Sequence, residues 1–133
     1  MELPDIYRLL KEKGVRPSRQ RVLLYLELAR REDHPTAESL FRDLKLEIPT
    51  LSKTTIYNTM KLFSEKKLVQ IIQVDGRESR FAISKEGQGY FYCRDCQKIY
   101  DLDLENLPQA AGLPKGAQLE DVQVVFKGRC GAC

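Results

Sequence analysis

Ser52-Lys53-Thr54-Thr55-Ile56-Tyr57-Asn58-Thr59-Met60-Lys61 is followed by Leu68-Val69-Gln70-Ile71-Ile72-Gln73-Val74, the pair Asp75-Gly76, and Arg77-Glu78-Ser79-Arg80-Phe81-Ala82-Ile83. The first segment has a helical period. Ile56, Met60 and Phe63 stand at i, i+4 and i+7, and Ser52 is placed to cap a helix running from Lys53 to Lys66. Its other face carries Lys53, Thr54, Thr55, Tyr57, Asn58 and Lys61. These types suit a DNA major groove: an amide for adenine, a cation for guanine or phosphate, Thr and Tyr for thymine methyls. The backbone amides that open such a helix can also hold a phosphate. The two alternating segments around Asp75-Gly76 read as a β-hairpin. Arg77 sits at its tip with Arg80 nearby, both expected to meet backbone phosphate.

Three helices precede this unit. Ile6, Leu9 and Leu10 mark a helix over 5–13, stopped by Gly14. Ser18 caps a second helix whose expected inner stripe is Val22, Leu23, Leu26 and Ala29. Thr36 caps a third helix through Leu44, with Ala37, Leu40, Phe41 and Leu44 inward. Helix 36–44, a loop of seven residues and helix 53–66 form a helix-turn-helix with a stretched turn; the hairpin is its wing. Arg16 and Arg19, at the start of the second helix, complete the candidate DNA contacts. Residues 1–83 carry sixteen cations against twelve anions, and residues 84–133 six against seven, so the basic excess lies where a polyanion would bind. A polar helix face is also the ordinary wet side of a packed helix, so a protein-docking module is the rival use of this arrangement.

The chain of 133 residues is too short for a (β/α)8 barrel. Its 42% hydrophobic content is enough to offset ordering entropy, which argues against disorder. The longest apolar run, Val22-Leu23-Leu24-Tyr25-Leu26, is far short of a membrane span, and Met1-Glu2-Leu3-Pro4-Asp5 does not open a secretory signal. The expected location is therefore the cytoplasm, with no membrane partner. His34 is the single histidine, so no mechanism needing two within one chain applies. No nucleophile–base pair or phosphate-binding loop is visible, so no enzymatic activity is expected.

All four cysteines fall in the last part, as Cys93-Arg94-Asp95-Cys96 and Cys130-Gly131-Ala132-Cys133. A two-residue gap lets two thiolates chelate one ion, and four thiolates complete a tetrahedral Zn2+ with no open position. That is a structural site, one zinc per chain. A unit of 84–133 is too small to build a strong core alone, and a metal staple compensates. Disulfides are disfavoured by the expected compartment, and a redox dithiol normally opens a helix rather than a strand turn. Segments 88–93 and 97–102 instead read as strands around a zinc knuckle, followed by a short helix over 103–111 and a strand over 119–127. Open sheet edges in this unit suit pairing with a second copy, and a two-fold dimer would present two recognition helices to a palindromic operator. The fold class expected is α+β: a winged-helix DNA-binding domain over 1–83, then a dimerisation and structural-zinc domain over 84–133.

With these segments in view the chain resembles the ferric uptake regulator family of metal-dependent transcription factors. Gly14-Val15-Arg16-Pro17-Ser18-Arg19-Gln20-Arg21 resembles its G-x-R-x-T-x-Q-R segment, and His34-Pro35-Thr36-Ala37-Glu38 its H-x-T-A-[ED] segment. Ser52 to Met60 resembles S-x-A-T-V-Y-[RN]-x-L, with a Tyr57-Asn58 pair closer to peroxide-sensing members, and the cysteine pairs resemble its structural zinc site. The resemblance implies a homodimeric DNA-binding repressor with a regulatory metal. Among that metal's ligands, His34 and Asp101 match by position, and Glu86 is a further candidate. Gln88 and Tyr90 stand where the family usually has histidines, and Ala82 where it has a carboxylate, so a second, regulatory metal is doubtful. The alternative is a zinc-stabilised protein-interaction subunit that has lost operator binding.

Overall fold

The computed structural model describes residues 2–104 and 112–133. The chain divides into two compact units, Met1–Ser84 and Lys85–Cys133. The first contains α1 (Leu3–Glu12), α2 (Arg19–Arg30), α3 (Ala37–Leu44), α4 (Lys53–Glu65), β1 (Val69–Ile72) and β2 (Arg80–Ile83). The second contains β3 (Gln88–Cys93), β4 (Ile99–Asp103) and β5 (Val125–Gly128). No described helix is long and apolar enough to cross a membrane.

Each helix of the first unit starts and stops for a local reason. Asp5 accepts from the Glu2 amide at 3.2 Å to open α1. Gly14 closes it at φ +76°, letting Gly14 N donate to Lys11 O at 3.0 Å and Val15 N to Leu10 O at 2.8 Å. This paired closure needs a left-handed residue, and glycine adopts it without a Cβ penalty. Ser18 caps α2 by accepting from Arg21 N at 3.2 Å, and Thr36 and Ser39 cap α3 reciprocally. Between α3 and α4, Ile48 N reaches Leu44 O at 2.8 Å and Leu51 N reaches Ile48 O at 3.0 Å, so the long turn is itself hydrogen-bonded.

The core of this unit gathers Ile6 and Leu10 of α1, Val22, Leu24, Tyr25 and Leu28 of α2, Leu40 and Leu44 of α3, and Ile56, Met60 and Phe63 of α4. Phe63 is fully buried and meets Tyr25 edge to face with centroids 6.1 Å apart. The inner stripe of α2 differs from the expected one: Leu23 and Leu26 are half-buried and Ala29 is exposed, while Leu24, Tyr25 and Leu28 are inside. Val22 to Leu28 is apolar at every position but Glu27, so periodicity does not choose a face there; packing does. Phe41, expected inward, is half-buried.

β1 and β2 are antiparallel, with Ile72 opposite Arg80. Asp75 and Gly76 have φ of 46° and 68°, and Arg77 N returns to Val74 O at 2.9 Å, closing the tight turn. The paired ladder ends at Ile72 and Arg80, and Gln73, Glu78 and Ser79 lie between it and the turn. A clamp holds the α2–α3 connection. Arg31 bonds Asp33 through two nitrogens at 2.9 and 2.7 Å, and Asp43 at 2.8 Å.

In the second unit β3 lies between β4, antiparallel, and β5, parallel. Tyr90, Tyr92, Cys93 and Ile99 are buried. The expected strand over 119–127 is shorter: β5 starts at Val125, and Val122 is exposed. The expected helix over 103–111 falls mainly on 105–111, outside the described residues, while Asp103 belongs to β4.

Phe63→Ala should lower the unfolding free energy of the first unit by about 3–5 kcal/mol, read by urea titration. The Arg31 clamp has a pH signature. Hydrogen bonds from Arg31 hold the Asp33 carboxyl below its ordinary 3.8, and Arg42 and Arg31 do the same for Asp43. Their contribution is therefore complete above that value and is lost as pH falls through the lowered folded values. Arg31→Met should flatten this acid-side loss, measured as thermal midpoint against pH.

Candidate nucleic-acid interface and metal centre

The wet face of α4 is built by its buried one. With Ile56, Thr59, Met60 and Phe63 inside, Lys53, Thr54, Tyr57, Asn58 and Lys61 are exposed. Ser52 and Thr55 are half-buried and engaged in the cap: the Ser52 hydroxyl accepts from Thr55 N at 3.1 Å and pairs with Thr55 Oγ1 at 2.9 Å. Tyr57 is 40% exposed. Its ring rests edge-on against Phe81, centroids 6.1 Å apart, and its hydroxyl donates to Glu78 Oε1 at 3.2 Å. Burial and the Glu78 carboxylate both push the phenol's pKa up, so it remains a donor at neutral pH. Lys53 forms an ion pair with Glu38 of α3. Arg16 and Arg77 are exposed.

A cleft of about 510 Å³ opens where Arg16, Ser18, Gln20 and Arg21 face Thr55 and Asn58. It is shaped from inside: Arg21 donates to the Arg16 carbonyl at 2.7 Å and Gln20 Nε2 to Thr50 Oγ1 at 2.7 Å. Arg19 leans on the Glu47 carbonyl at 3.2 Å. Arg80 is not at the tip with Arg77. Its guanidinium bonds the carbonyl oxygens of His34 and, at 2.9 Å, Asp33. It thus ties β2 to the α2–α3 connection, where Phe81 N also reaches Pro35 O at 3.0 Å. The Arg80 guanidinium therefore satisfies backbone acceptors within the first unit.

In the second unit the four cysteine sulfurs lie within 4.8 Å of one another. Cys93–Cys133 is 3.6 Å, Cys96–Cys130 3.7 Å and Cys130–Cys133 3.3 Å. A disulfide is about 2.0 Å, whereas four sulfurs at about 2.3 Å from one Zn2+ lie about 3.8 Å apart. The cluster therefore fits a four-thiolate metal. The turn after β3 supplies the knuckle: Cys96 N donates to Cys93 Sγ at 3.4 Å, and Cys130 N reaches the same sulfur at 3.3 Å. These amides hold the Cys93 thiol below its ordinary pKa. A hydrogen bond from Tyr100 lowers Cys130 to about 6, while Cys130 and Cys93 push Cys133 up to about 12. A bound cation would take all four sulfurs as thiolates, displacing the protons they otherwise share.

His34 is in the first unit, buried, with φ 51°. Glu86 and Asp101 are exposed in the second unit, beside a shallow pocket of about 350 Å³ that also meets Lys85, Gln88 and Asp103. Gln88 Oε1 is buried with no hydrogen-bond partner among the described residues. Burial and then Asp101 raise Tyr90 to about 12, so that phenol stays protonated. Within the second unit, among the described residues, the cysteines are the one group of three or more metal-ligating side chains whose donor atoms converge.

The sequence model described as the ferric uptake regulator family matches residues 12–126. The chain belongs to the ferric uptake regulator family. Members of this family are transcriptional regulators rather than enzymes. The peroxide operon regulator of Bacillus subtilis (strain 168) is 30% identical, over 99% of this chain and 93% of its own. The peroxide-responsive repressor PerR of Staphylococcus aureus (strain USA300) is 29% identical, over 99% and 91%. Among solved structures, the Helicobacter pylori ferric uptake regulator Fur superposes with a TM-score of 0.72 at 19% identity, covering 100% of this chain and 94% of that one. The Campylobacter jejuni peroxide stress regulator gives 0.68 at 24% identity and full coverage of both. These likenesses support the α+β winged-helix fold.

Sequence reasoning did not find Glu38 and Glu78 against α4, nor Tyr100 against Cys130. Each pairing joins residues far apart in the chain, and no local pattern signals it. Cys130→Ser should abolish retention of zinc against a chromophoric chelator, and it should lower the thermal stability of the second unit more than that of the first.

Proposed function

We propose that this chain is a dimeric, sequence-specific DNA-binding repressor stabilised by one structural zinc per chain. The observation that carries the reading is the division of α4: an apolar face anchored in the core leaves Lys53, Thr54, Tyr57, Asn58 and Lys61 outward on a rigid helix. In this reading residues 1–83 read DNA. Lys53, Tyr57, Asn58 and Lys61 meet base edges, and Arg16, Arg19 and Arg77 meet phosphates. Ser52 and Thr55 act by setting the start of the helix, whose first amides face the backbone.

Residues 84–133 pair with a second copy. Supporting this, Leu119, Val122 and Phe126 are 56%, 45% and 51% exposed, and β5 has one edge beyond β3. The zinc would be held by Cys93, Cys96, Cys130 and Cys133, closing the end of a sheet whose own core is small. A two-fold dimer of this kind calls for a palindromic operator.

The regulatory site is degenerate. The remaining candidate ligands are His34 in the first unit and, separately, Glu86 and Asp101 in the second, where Gln88 offers an amide oxygen. Apart from one imidazole these are oxygen donors, so a second cation would be a hard, exchangeable ion such as Mn2+ and would bind weakly. Peroxide sensing through oxidation of ligand histidines has His34 as its single available target.

Tyr57→Ala with Lys61→Ala should weaken binding to a selected operator at least about 30-fold, since each good base contact contributes about 1–3 kcal/mol. Arg77→Ala alone should reduce the salt slope of log K by about 1, as expected for a cation that meets phosphate. Fluorescence anisotropy across a salt series measures both. Unchanged operator affinity in the double variant would remove α4 as the reading element.

A further inference from the structure

Two carboxylates sit on the candidate DNA face, where a duplex brings one negative charge per about 1.7 Å of axis. Glu38, in the first turn of α3, is paired with Lys53. Glu78, on the wing, accepts from the Tyr57 hydroxyl at 3.2 Å. Both partners belong to the exposed face of α4. Glu78 lies in the wing between the tight turn and the ladder that begins at Arg80, next to exposed Arg77.

We propose that Glu38 and Glu78 are specificity-determining residues that occupy Lys53 and Tyr57 until a duplex offers something better than phosphate. The inference rests on the DNA-binding reading above. A backbone-only encounter must approach two carboxylates and gains little from Lys53 while Glu38 neutralises it. The two acids thus penalise docking on arbitrary sequence. At a matching site the penalty is offset. Lys53 exchanges Glu38 for a guanine edge, and Glu78 can accept from a cytosine amino group. Tyr57, held by Glu78, keeps its oxygen lone pairs directed away from the wing and available to an amino donor. The electrostatics agree with the geometry: Glu38 holds the Lys53 pKa up, and Glu78 acts on it in the same direction. Exposed ion pairs contribute little to folding, so the place for these two to act is at the duplex.

The test uses full-length zinc-loaded protein, a random-sequence duplex pool, and a duplex enriched from that pool by the wild-type protein. Glu38→Gln, Glu78→Gln and the double variant keep side-chain size and one acceptor oxygen while removing the negative charge. Both glutamates are exposed, and circular dichroism checks each fold. The double variant should bind the random pool about tenfold more tightly at about 0.1 M salt, with a salt slope steeper by about 1. Its affinity for the enriched duplex should rise less, so the specificity ratio falls. Random-pool affinity within twofold of wild type, or an unchanged ratio, overturns the inference while wild-type binding leaves the DNA reading intact. Wild-type protein that retains no duplex even at low salt overturns both.

Discussion

One face of α4 must be core and the other must stay wet, and the first unit is organised around that division. Ile56, Met60 and Phe63 are fully buried, while Tyr57 on the opposite side is 40% exposed. Rotating the helix by a single residue would bury Tyr57 and Lys61 and expel the apolar anchors. The other helices serve this placement. α2 brings Tyr25 against Phe63, α3 and its hydrogen-bonded turn set where α4 begins, and the wing lays Phe81 under the Tyr57 ring. A rigid polar face is a by-product of packing, and a duplex can use it because it does not have to be ordered on binding.

The second unit meets a different constraint. Among the described residues, Tyr90, Tyr92, Cys93 and Ile99 make a small core for a three-stranded sheet. Cys93 ends β3, and the segment leaving β5 brings Cys130 and Cys133 back to it. Four sulfurs at metal-ligand spacing therefore close the sheet where hydrophobic burial runs out. Tyr100 adds a hydrogen bond to Cys130, lowering the cost of holding that sulfur as a thiolate.

Charge in the first unit is less available than its count implies. Arg80 serves the carbonyls of Asp33 and His34, and Arg31 serves Asp33 and Asp43. Lys53 faces a carboxylate. Arg16, Arg77 and Lys61 remain exposed. Long-range attraction for a polyanion follows net charge, but the contacts that discriminate sequence depend on which cations the fold has already used.

By itself the sequence determined the elements of the first unit, the helix caps at Ser18, Thr36 and Ser52, and the four-cysteine cluster. These rest on local rules: a period of 3.6, a hydroxyl before a helix, a thiolate pair two residues apart. The family was legible for the same reason, because its motifs are short and contiguous. Other features were decided by the tertiary structure alone. The buried stripe of α2 is one, since a helix apolar nearly all round has no preferred face until neighbours pack on it. The parallel placement of β5, the bonding of Arg80 to the Asp33 and His34 carbonyls, and the pairing of Glu38 and Glu78 with α4 are others. Each depends on groups brought together from distant parts of the chain, where hydrogen-bond demand and charge, not spacing, set the outcome.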